Sequence, residues 1–207
     1  MADKQVNIFL VEDGAKLDRF LAESFEVDAI AWGLLKTPQR THGSYHGRPC
    51  WGNGALMEFT DAPPPEVMAH PDWPTESRPY NPDAVFTRLA TAEEGRIVAL
   101  VETMTVGDPE SEGVDCVLLE AASGRAVAAV WFIAWFWQRY PGCSFHLGGG
   151  GPAPIFVKQG DVVVGIIMPQ NRPELWAMPL DEAHQGKTYN AQVFTVVPRQ
   201  GPVFSRN

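Results

Sequence analysis

The chain is short of everything that usually marks a secreted, metal-binding or membrane-spanning protein. It has three cysteines in 207 residues, Cys50, Cys116 and Cys143, and no two are spaced as CxxC. That excludes a sequence-legible zinc site or disulfide framework and fits reduced thiols. The longest apolar run, Ala126 to Trp137, is shorter than the roughly 20 residues needed to span a bilayer. The N-terminus lacks a basic stretch followed by a long apolar one, so no secretory signal is expected and the cytoplasm follows by elimination. Positive charge is scarce, with 16 Lys and Arg against 25 Asp and Glu, a net charge of −9 and a pI near 5.0. A surface uniformly attractive to phosphate is thereby disfavoured. A concentrated basic patch, or an acidic surface that imitates DNA, stays open.

Catalytic motifs are also missing. No serine lies in a GxSxG elbow, and no GKS or GKT follows the tetraglycine Gly148 to Gly151. His42 and His46 have i,i+4 spacing, but glycines surround them and there is no HExxH. Cys143 lies near His146 in a stretch that reads as strand edge. No catalytic, cofactor or metal residue is expected, and no enzyme activity.

What is present is an ordinary globular composition, 45% hydrophobic and 20% charged. Val6 to Val11 reads as a strand. Leu17, Phe20, Leu21 and Phe25 then fall at helical spacing, in a helix that resumes through Ile30 to Leu35 before Thr37-Pro38. Two pieces, Tyr45 to Trp51 and Ala55 to Phe59, predict a hairpin about Gly52-Asn53-Gly54. Asp61 to Asp83 is proline-rich and excludes a helix interior or a central strand. Strands are expected at Arg96 to Met104 and Val114 to Glu120, a turn at Ser123-Gly124-Arg125, and a helix from Ala126 to Tyr140 ended by Pro141-Gly142. A strand Ser144 to Leu147 follows, then a hairpin 154–158/162–168 turning at Gly160-Asp161, and a last strand Ala191 to Val197. The class is α+β. The expected organisation is one domain over 1–207, made of halves 1–60 and 85–170, a connection 61–84 and a tail 171–207.

The most unusual segment is the helix that carries Trp131, Phe132, Ile133, Trp135, Phe136, Trp137 and Tyr140. A helix apolar nearly all round is either buried in the core or covered by a partner. Trp131, Trp135, Phe136 and Trp137 are the candidates for partner binding, since tryptophan is enriched at interface hot spots. Lys16, Arg19 and Arg139 are the candidates for nucleic acid.

The run Val130 to Pro169 resembles the end of the bacterial sliding clamp family, the β subunit of the replicative polymerase. The resemblance rests on Phe132-Ile133-Ala134-Trp135-Phe136, Cys143-Ser144-Phe145-His146-Leu147, Gly151-Pro152-Ala153-Pro154-Ile155-Phe156-Val157 and Val164-Gly165-Ile166-Ile167-Met168-Pro169. Trp51-Gly52-Asn53-Gly54-Ala55-Leu56-Met57 is a looser upstream likeness. It implies a β-α-β-β-β pseudo-repeat with two helices packed on antiparallel sheets. It further implies a small phage or mobile-element protein that self-associates, without catalysis, and binds a partner in DNA replication, recombination or host defence. The other reading is an acidic inhibitor, a DNA mimic or anti-defence protein, which clustering of Asp108, Glu110, Glu112 and Asp115 on one face would favour and even scattering would count against. A homo-oligomer, a host or phage protein and DNA are the expected partners; a membrane is not.

Overall fold

The computed structural model describes residues 4–11, 14–23, 41–52, 54–60, 83–105, 114–177, 187–190 and 196–198. Twelve strands and four short helices appear among them. In chain order they are β1 (Lys4–Leu10), α1 (Gly14–Glu23), β2 (Thr41–Tyr45), β3 (Arg48–Gly52) and β4 (Leu56–Phe59). Then come α2 (Asp83–Phe86), a 3-10 turn, β5 (Glu93–Thr105), β6 (Val114–Ala121), β7 (Gly124–Ala129) and α3 (Val130–Arg139). The rest are β8 (Ser144–Leu147), β9 (Ile155–Gln159), β10 (Val162–Ile167), α4 (Pro173–Trp176), β11 (Lys187–Asn190) and β12 (Val196–Pro198). The protein is α+β, and every strand pair is antiparallel.

One sheet runs β2-β3-β4-β10-β9-β8, and the other holds β1, β5, β6 and β7 side by side, with β11 and β12 beyond β1. The long β5 joins the two: Glu93 to Gly95 pair with β8, and the residues after them pair with β6 and β1. The main core lies between the sheets and the helices α1 and α3. Leu17 and Leu21 meet Ile133, Ala134, Trp135 and Phe136 there, together with one face of each sheet. Alternate strand residues point the other way, as strand geometry requires. Ile8, Val101, Leu118 and Val127 pack under Leu175 of α4, and Met57, Phe59 and Phe156 pack against Phe86 of α2.

The structure departs from the sequence reading in two places. Tyr45 to Trp51 is not one strand: His46 (φ 48°) and Gly47 (φ 78°) turn the chain between β2 and β3. Positive φ at both positions is what a tight two-residue hairpin needs. Ala126 to Ala129 belong to β7 rather than to the aromatic helix, because Leu118 and Leu119 across the Ser123 turn offer a strand to pair with. The tetraglycine is a packed loop. Gly148 N–H donates to Pro154 O, Gly151 N–H donates to Arg125 O on the outer edge of β7, and a Cβ at Gly150 would lie 3.2 Å from Ser123 O.

The expected helix over Ile30 to Leu35, nearly all of the proline-rich connection and the loop Gly107 to Gly113 lie outside the described residues, as does most of Ala191 to Val197. No helix among the described residues is long and apolar enough to cross a membrane.

Candidate functional site: a buried carboxylate beneath the aromatic helix

Glu58 is the one charged residue in the buried core among the described residues, with an exposure of 0%. Its position follows from strand parity. In β4, Leu56 and Glu58 face the helices, while Met57 and Phe59 face outward. Trp51 of β3 is its cross-strand partner and shares that face. Above them α3 presents Trp135 and Arg139 four residues apart, and Tyr140 caps the helix end.

The carboxylate is fully engaged. Oε2 accepts from Trp51 Nε1 at 2.7 Å and from Trp135 Nε1 at 3.1 Å. Oε1 accepts from Arg139 Nε at 2.8 Å and from the Tyr140 hydroxyl at 2.7 Å. The two indole rings meet edge to face at 5.9 Å, and the Arg139 guanidinium lies 5.0 Å from the Trp135 ring centre. Burial, and then the neighbouring Glu58 charge, pushes the Tyr140 phenol well above its ordinary value, so it is a neutral donor at physiological pH. A carboxylate whose four lone-pair sites are filled has no capacity left for general-base work. The cluster is an anchor that ties α3 to β3 and β4.

The predicted partner-binding residues divide. Trp135 (1% exposed) and Phe136 (0%) are inside the core, so they are not a surface that a partner can reach. The reason is geometric: Trp135 must reach Glu58, and Phe136 fills the space over Gly165. Trp131 and Trp137 are partly buried against the same core, and Trp137 stacks on Phe145 with ring centres 6.2 Å apart. Of the predicted nucleic-acid residues, Arg19 is exposed on α1 and Arg139 is committed to Glu58, while the side chain of Lys16 lies outside the described residues.

Glu58 itself was not anticipated. The single charge inside Leu56-Met57-Glu58-Phe59 was its only signal.

Among the described residues, the histidines and the cysteines form no second centre of metal or thiolate chemistry. His46 Nε2 lies 3.6 Å from Asp83 Oδ1 in an exposed pair, and no group of three potential metal ligands occurs among the described residues. His146 Nε2 is 2.9 Å from Ser144 Oγ rather than beside a thiolate. Burial pushes the Cys143 thiol up to about 12, and burial also raises Cys50. At pH 8 the native protein should therefore resist Ellman's reagent at all three cysteines, each at most 5% exposed, and react fully after unfolding. Rapid labelling of Cys143 in the native state would contradict this burial.

His146 gives a pH prediction. Burial first, and the Lys158 charge second, hold its imidazole below the ordinary 6.5, with Glu94 opposing. Below pH 6.5 the unfolded chain takes up a proton that the folded chain resists. The stability from neutral His146 is therefore present above pH 6.5 and lost as pH falls through the folded value. Urea unfolding at pH 7.5 and 5.0 should show a larger loss for wild type than for His146→Gln. Equal losses would remove His146 from the account.

Comparison of the chain with family models, curated proteins and solved structures gave no match, so nothing in them identifies a sliding clamp.

Proposed function

We propose that the chain is a clamp-like accessory protein of a phage or mobile element. It works without catalysis, by self-association and by binding a protein partner in DNA replication, recombination or defence. The observation that carries this reading is the strand order. Exchanging β1-α1-β2-β3-β4 with β7-α3-β8-β9-β10, and β5 with β6, maps the sheet β2-β3-β4-β10-β9-β8 and the row β1-β5-β6-β7 each onto itself. The exchange brings α1 onto α3. These two helices pack together, and Gln138 Nε2 donates to Leu21 O at 3.0 Å. A β-α-β-β-β pseudo-repeat is what the clamp resemblance implies, and such units work by assembly. The cytoplasm is the compartment that this role requires.

Chemical cross-linking at micromolar concentration, followed by denaturing electrophoresis, tests the reading. Bands at multiples of 22.8 kDa are expected. A single monomer band, under conditions that cross-link a known oligomer, would count against it.

The net charge of −9 favours a second reading, an acidic inhibitor of a host nucleic-acid enzyme. Asp108, Glu110 and Glu112 lie outside the described residues, as does the side chain of Asp115. Stoichiometric, salt-sensitive inhibition of a DNA-cleaving enzyme, with no self-association, would select this reading over the first.

A further inference from the structure

We propose that Ser144 is a site of covalent acylation, at which His146 takes the hydroxyl proton while the serine oxygen attacks an activated ester or thioester. Such a role stands apart from the self-association reading and asks for no turnover, since the chain itself is the acceptor. Ser144 and His146 lie two residues apart on β8 and so share its outer face. Ser144 Oγ is 2.9 Å from His146 Nε2, within the reach a serine needs to pass its proton to a base. Both residues are half-buried, so the pair is held by its neighbours yet stays open to a small reagent.

Charge on the same face comes from the two flanking strands. Glu94 of β5 is the cross-strand partner of His146, and Lys158 of β9 is that of Ser144. Burial first, and the Lys158 charge second, keep the imidazole neutral at pH 7 and above, so it has a lone pair to accept the proton. Glu94 then favours the imidazolium that forms. Lys158 puts a positive charge on the side of Ser144, where the attacked carbonyl oxygen gains a negative one. Beyond Glu94 the face opens into a hollow of about 600 Å³ whose walls include Arg96 and Glu120, which gives the donor room. The class of donor follows from Glu94. A phosphoryl donor would bring several negative charges beside that carboxylate, whereas an acyl carbonyl is neutral until it is attacked. The bond from Oγ to the carbonyl carbon forms as the bond to the leaving sulfur or oxygen breaks. The proton held by His146 passes to the leaving thiol or alcohol, and the imidazole returns to its neutral form.

p-Nitrophenyl acetate, offered to the intact protein from pH 5 to 9, tests this, with acetyl groups located by peptide mass spectrometry. Ser144 should be acetylated about 100-fold or more faster than the exposed Ser123, the gain expected of a positioned base. Its rate should level off by pH 7, once His146 is neutral. His146→Gln, which keeps a hydrogen-bond partner for Ser144, should lower the rate about 100-fold or more, with the fold checked by circular dichroism. Acetylation of Ser144 no faster than that of Ser123 would overturn the proposal. So would a rate that climbs about tenfold per pH unit through pH 9, because the serine would then react as its own alkoxide. An unchanged rate in His146→Gln would overturn it as well. The wild-type pH profile decides the matter if that variant does not fold.

Discussion

Glu58→Ala should lower the free energy of unfolding by about 3–5 kcal/mol, the range for removing one partner from a buried ion pair. The loss comes less from Arg139, which can turn to water, than from the donors that cannot. Without the carboxylate, Trp51 Nε1 and Trp135 Nε1 lose the acceptor that now satisfies them, while the Tyr140 hydroxyl keeps only Phe59 O at 3.4 Å. Each buried donor left unpaired costs about 1–3 kcal/mol. At roughly 2–4 °C per kcal/mol for a chain of this size, the melting temperature should fall by about 6–20 °C. Glu58→Gln keeps the shape and one acceptor oxygen but turns two new N–H groups toward existing donors. It should lie between wild type and alanine. Urea or thermal unfolding of the three proteins checks the order. A Glu58→Ala protein as stable as wild type would mean that α3 is not anchored to β4 in this way.

Gly165→Ala should be the most damaging single-methyl addition in the described core. A Cβ at Gly165 would lie 2.1 Å from Phe136 Cζ and 2.2 Å from Cε1, with the main-chain oxygen of Met57 at 2.9 Å. The phenyl ring is fully buried, so it has no open space to move into. Overpacking of this kind costs about 1–3 kcal/mol, and Gly165→Val should cost more. The cause is contact, since Gly165 is not among the residues with positive φ. The irregular register of β10 between Val163 and Gly165 lets Val164 and Gly165 both turn toward the helices. The partner variant Phe136→Leu removes the ring atoms that the new methyl would strike. The double variant should therefore be more stable than the sum of the single losses by roughly 0.5–3 kcal/mol, as expected for residues in contact. Strict additivity would contradict the close approach.

Much of this fold was legible because its signals are local. Val6 to Val11 and the hairpin at Gly160-Asp161 are bounded apolar runs with a turn, and they appear where their spacing places them. The harder places depend on distant partners. Ala126 to Trp137 is apolar throughout, so helical and strand periods fit it equally, and length favours one helix. The pairing of Ala126 to Ala129 with β6 decides otherwise. The site was illegible for a related reason. Both faces of β4 are covered, so an alternating pattern does not reveal which face Glu58 takes. The donors that make its burial tolerable come from Trp135, Arg139 and Tyr140, about 80 residues later. The tryptophans drew attention as surface anchors because their composition is that of a hot spot. Trp135 is instead a core donor, a role that only the presence of Glu58 explains.

The measurement that bears most directly on assembly is the solution mass by light scattering on a sizing column, at two salt concentrations. A dimer or larger species that persists at the higher salt is the predicted result, because an interface made through partly buried aromatics depends little on long-range charge. A mass of 22.8 kDa at both salts would contradict self-association and leave a monomer that acts only on a foreign partner.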